Sequence, residues 1–150
     1  MSLAWLKENF EAAKQSLSKE LTKFNNRSMM EAIVAGCAMV AYADGSVSSA
    51  EKQKMVGYLR TSDTMKVFDI NEVIQLFQKY VEKFEFDHTI GHGEAMTVIG
   101  KFKGKAAEAQ LIVRVCCAVG AADGSFDEKE RKVVRGMCQE LGLDPQTFDL

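Results

Sequence analysis

The chain has 150 residues, 47% of them hydrophobic and 27% charged, and a net charge of -2. A chain of this length forms one compact domain that buries about 70% of the surface its unfolded form exposes, so a core needs no disulfide or structural metal. The 19 Lys and Arg are scattered among 21 Asp and Glu, which argues against nucleic acid as a partner, because phosphates call for a clustered cationic excess.

A single proline points to helices rather than to turn-rich β architecture, and an all-α fold of about seven helices is expected. Leu3, Leu6, Phe10, Ala13, Leu17, Leu21 and Phe24 recur at steps of three and four, predicting an amphipathic helix over 3–24 that Asn25-Asn26 breaks. Ser28 and Glu31 read as a capping box that opens a helix over 28–43, ended by Gly45. Ser48 with Glu51 opens a helix over 49–60, and Asp69 with Glu72 opens another over 70–86. The polar, glycine-bearing stretch 87–93 reads as an exposed connector. It divides one domain, 1–150, into halves of about 28–86 and 94–150. Helices over 94–103 and 106–122 follow, Gly124 stopping the second. Asp127 with Glu130 then opens a helix over 128–141, and Asp144-Pro145 starts a last short turn.

The two halves repeat each other. Cys37 to Lys52 aligns without a gap on Cys116 to Arg131, so that Asp44 meets Asp123 and Glu51 meets Glu130 at one offset of 79. The shared unit is a helix of small residues, then Ala-Asp-Gly-Ser, an apolar residue (Val47 or Phe126), and a capped helix. Two related helical halves packed with approximate two-fold symmetry are the expectation.

Each unit carries an acidic corner. Asp44 and Glu51 bracket the first; Asp123, Asp127, Glu128 and Glu130 crowd the second. The step from Gly45 to Glu51, and from Gly124 to Glu130, matches the second half of an EF-hand loop, where a bidentate Glu follows the turn glycine by six residues. The first half is missing: Val40, Tyr42, Val119 and Ala121 stand where carboxylates belong. Calcium or magnesium bound there is held weakly, with dissociation constants of roughly 10⁻⁴–10⁻³ M, and more tightly at the second corner because Asp127 and Glu128 replace Ser48 and Ser49. Helix capping accounts for Glu51 and Glu130 as well as metal binding does, since both stand three residues after a capping Ser or Asp. Capping does not account for the Asp before each Gly, a negative charge at a helix C-terminus that opposes the dipole.

The paired segments Ala41-Tyr42-Ala43-Asp44-Gly45-Ser46-Val47-Ser48…Glu51 and Val119-Gly120-Ala121-Ala122-Asp123-Gly124-Ser125-Phe126-Asp127…Glu130 resemble the TerB-like family of tellurite-resistance proteins. Trp5-Leu6-Lys7 and Phe148-Asp149-Leu150 also fit, so the likeness runs over essentially the whole chain. The resemblance implies a two-part helical fold and a non-enzymatic role in bacterial tellurite and stress resistance. It implies metal-binding acidic positions, here Asp44, Glu51, Asp123, Asp127 and Glu130. It also implies partners: the integral membrane protein TerC, met at the cytosolic face of the inner membrane, and other tellurite-resistance proteins such as the calcium-binding TerD type.

Other constellations are weighed against these corners. Cys37, Cys116, Cys117 and Cys138 form no CxxC, and the N-terminus is amphipathic rather than basic then apolar. Reduced thiols in a cytoplasmic protein are therefore expected, packed on small-residue helices. The alternative is a tellurium oxyanion binder or detoxifying enzyme working through those four thiols. No apolar run reaches the roughly 18 residues of a membrane span. His88 and His92 stand four apart, with Gly91 and Gly93 weakening any helix that would pair them on a metal. The eight methionines suit core filling, and the first helix has mixed charges rather than the basic face of a membrane-surface helix. No Ser-His-Asp set or phosphate loop is present in the sequence.

Overall fold

Two segments have almost no polar residue to show to water, and they become the centre of the molecule. In the computed structural model, which describes residues 10–121 and 126–150, they are α2 (Arg27–Ala41) and α6 (Ala106–Ala121). From Met29 to Val40 every residue of α2 except Glu31 is buried, and α6 is buried through Val115, Cys116, Cys117, Ala118, Val119 and Gly120. A helix that is apolar all round is stable only when neighbours cover it on every side.

The neighbours are α1 (Phe10–Lys23), α3 (Ser49–Thr61), α4 (Ile70–Phe86), α5 (His88–Gly100) and α7 (Glu128–Leu141), with short 3₁₀ turns at Met65–Val67 and Pro145–Phe148. The fold is all-α, seven helices with no strand among the described residues. Helix α2 packs on α4, α5, α6 and α7, while α1 lies on α6. Helix α7 is held by α2, α5 and α6; its repeat counterpart α3 packs instead on α4 and the first 3₁₀ turn. Small residues let the central helices approach. A Cβ on Gly36 would stand 2.5 Å from Cys116 Sγ, so α2 and α6 meet where only glycine fits. Polar ties run along this packing: Glu31 accepts a hydrogen bond from Tyr80 Oη of α4 at 2.9 Å and pairs with Lys79 at 3.4 Å, and Arg114 of α6 pairs with Glu20 of α1 at 3.2 Å.

Most predicted helices stand, with three corrections at their ends. The N-cap of α2 is Asn26, whose side chain accepts from Met29 N at 2.9 Å, rather than Ser28; Ser28 lies inside the helix and Glu31 turns to Tyr80. Helix α2 also ends at Ala41 rather than at 43. The third concerns 87–93, which is helical rather than a connector, so that the helix expected over 94–103 runs instead from His88 to Gly100. Asp87 ends α4 and caps α5 with its own carboxylate, accepting from Thr89 N at 2.8 Å and Ile90 N at 3.1 Å. Gly91 weakens a helix by its composition, yet its missing side chain is what lets α5 close on α4: a Cβ there would lie 2.6 Å from the Phe84 ring. The expected start of the first helix at residue 3 lies outside the described residues.

Candidate functional site

Both acidic corners lead into their helices through the same reciprocal capping box. In the first, Gly45 adopts φ 97°, a left-handed conformation that favours glycine, and donates to the Tyr42 carbonyl at 2.9 Å. Asp44 Oδ1 accepts from Ser46 N at 3.4 Å, closing the turn. Ser48 Oγ accepts from Glu51 N at 3.1 Å while Glu51 Oε1 accepts from Ser48 N at 3.4 Å, the reciprocal capping box of α3. In the second, Asp127 Oδ1 accepts from Glu130 N at 2.9 Å and Glu130 Oε1 accepts from Asp127 N at 3.4 Å, opening α7. Phe126 is buried under this corner, its ring where a Cβ of Gly120 would be, whereas Val47 in the first corner stays half-buried.

Packing then does what neither corner does alone. The end of α2 lies beside the end of α6, and the two corners open onto one cleft of about 250 Å³. Asp44 and Glu51 line it from the first half, Asp127 and Glu130 from the second. Val40, Val47, Met55 and Val119 supply apolar lining. Oxygen donors of this kind suit calcium or magnesium rather than zinc. Among the described residues no three His, Cys, Asp or Glu side chains stand close enough together to hold an ion. A cation in the cleft therefore requires the carboxylates to turn inward or backbone carbonyls to complete the shell.

One predicted ligand, Glu128, stands elsewhere. Glu128 does not line the cleft: it hydrogen-bonds Arg135 one face away, and that contact, with the charge of Arg135, holds its carboxyl below the usual range. Arg131 approaches the same carboxylate at 3.9 Å. Asp123 lies outside the described residues. The sequence spacing marked the corners, but the convergence of the two corners was anticipated only through the repeat, and the outward turn of Glu128 carried no sequence signal.

The four cysteines are buried. The thiol of Cys116 hydrogen-bonds with that of Cys37, and this bond together with burial pushes its pKa well above the ordinary thiol value, as do the nearby Cys117 and Cys138. Burial pushes Cys117 up to about 12 and Cys138 up to about 11. Positions spread over three helices thus meet in one dry core.

A family model described as "Tellurite resistance protein TerB" matches residues 30–150 of this chain. A curated relative from Alcaligenes sp., named "Tellurium resistance protein TerB", is 44% identical over 104 residues, which is 69% of this chain and 85% of the relative. No solved structure matches.

Proposed function

Because the chain belongs to the TerB family of tellurite-resistance proteins, we propose that it serves tellurite and stress resistance without catalysis, as a docking module whose acidic cleft binds a divalent cation weakly. The observation that supports this is the meeting of the two corners: Asp44, Glu51, Asp127 and Glu130, drawn from both halves, line one cleft. Four carboxylates around one opening make a negative potential that recruits a calcium or magnesium ion, a basic loop of a partner, or both. Asp123, the repeat counterpart of Asp44, is proposed to join them.

Cation titration followed residue by residue by NMR tests the first half of this proposal. Amides of both corners should shift together as calcium or magnesium rises, saturating with a dissociation constant of roughly 10⁻⁴–10⁻³ M. Asp127→Asn and Glu130→Gln keep an oxygen acceptor for the α7 cap while removing charge, so they should abolish the shift and leave the fold intact. Unmoved corners in millimolar calcium would overturn it.

The partner we propose is a membrane protein met at its cytosolic face, TerC-like, together with other tellurite-resistance proteins. Cytosolic loops of membrane proteins carry excess Lys and Arg, so the signs are complementary. No helix among the described residues is long and apolar enough to cross a membrane, and the proposal places the protein at the membrane through this partner. Neutralising Asp44, Asp127 and Glu130 together should reduce recovery of membrane partners in a pull-down and flatten its salt dependence. Equal recovery by wild type and triple variant would reduce the corners to caps. The thiol alternative finds less support, because all four thiols are buried and Cys116, Cys117 and Cys138 are held protonated.

A further inference from the structure

Beside the acidic cleft lies a groove of the opposite sign. It measures about 720 Å³ and runs between α5 and α7. His88 and His92 line it from α5; Lys129, Lys132 and Arg135 line it from α7. The spacing is helical on both sides: 88 and 92 share one face, and 129 and 132 share another with Gly136, whose lack of a side chain leaves the groove open. Helix α5 is capped by Asp87 at this point and packs on α4, so the two histidines face the groove from one helix instead of hanging from a connector.

Two histidines four apart on a helix are also a familiar pair for a transition metal, and the surroundings decide between the two uses. The rings lie nearly parallel, 17° apart, with centroids separated by 6.4 Å. His88 Nε2 stands 3.2 Å from the Tyr42 carbonyl oxygen, so that nitrogen carries a proton and donates; it has no lone pair for a metal. Three cationic side chains share the groove and repel a metal ion. Two negative charges stand nearby. Asp44 lines the groove where it meets the acidic cleft, and Glu128 is paired with Arg135. Among the described residues Lys129 and Lys132 are in no ion pair, and they stand opposite the histidines.

We propose that this groove is an oxyanion site, taking a small free anion of the phosphate class through the ammonium groups of Lys129 and Lys132 and the ring N–H of His92. Arg135, steadied by Glu128, closes one end. The molecule then carries two neighbouring sites of opposite charge, with Asp44 on the boundary of both.

The test is a titration of the full chain with inorganic phosphate at fixed pH and fixed ionic strength, chloride being replaced as phosphate rises, with the histidine ring resonances observed by NMR. Saturable shifts of both rings are expected. The variant carrying Lys129→Gln and Lys132→Gln should bind about ten-fold more weakly, the loss that follows when charge-assisted contacts to an anion are removed. Both lysines are exposed, so that variant should keep the wild-type amide spectrum. Shifts that chloride reproduces at equal ionic strength would overturn the proposal, as would a double variant that binds like the wild type. Phosphatidylglycerol vesicles form the second arm. Retention on vesicles with no response to free phosphate would assign the groove to a membrane surface and overturn it too. Neither result depends on whether the acidic cleft binds a cation.

Discussion

Cys116 lies in the contact between α2 and α6, where Gly36 makes room for its sulfur. The nucleophile in any thiol chemistry is the thiolate, and here burial and the Cys37 contact suppress it. Native protein at neutral pH should therefore resist maleimide, all four thiols reacting only as fast as the chain opens and rapidly in urea. Fast labelling of the folded protein, counted by mass spectrometry, would revive a thiol mechanism. His92 gives a second measurement at this scale. Burial, and then the charge of His88, lowers its pKa from the ordinary 6.5. A histidine with a lowered folded pKa binds fewer protons folded than unfolded, so stability is unaffected well above pH 6.5 and declines as pH falls past it towards the folded value. The urea midpoint should drop on acidification through that window, and His92→Gln should flatten the drop. An equal slope in both proteins would remove His92 from the pH response.

At the scale of helices, capping makes the sharpest distinction. Asn26→Ala should cost about 1 kcal/mol, because the Met29 N–H loses its acceptor, whereas Ser28→Ala should fall within about 0.5 kcal/mol of wild type. Chemical denaturation of the two variants checks this, and the reverse order would restore Ser28 as the cap. The error at Ser28 is instructive. A serine followed three residues later by glutamate satisfies the local rule, but Glu31 has a better partner in Tyr80, a residue of α4 that no local pattern can see. Residues 87–93 misled in the same way. Gly91 and Gly93 lower intrinsic helix propensity, and composition alone makes them a loop. The closeness of Phe84 to Gly91 shows that packing on α4 overrides that cost. At Ser48 with Glu51 and at Asp127 with Glu130, where both halves of the box form, the sequence pattern and the structure agree.

Across the whole molecule, the site was half legible. The acidic corners stood out because they recur at one register; their common cleft and the basic groove depend on how α2 meets α6 and how α5 meets α7, distances that tertiary packing sets. The two walls of the cleft belong to opposite halves of the chain, and this has a thermodynamic consequence. An ion touching both walls is a tether, and it favours only the arrangement in which both are in place. Its contribution is RT ln(1 + [L]/Kd), about 0.4 kcal/mol when the ion equals its dissociation constant and about 1.4 kcal/mol at ten times that. Against a total stability of order 5–15 kcal/mol, such a tether does not decide whether the chain folds. If the proposed ion binds, it sets how stiffly one half is held against the other, and the cleft then works as a gauge of ion concentration rather than as a rivet.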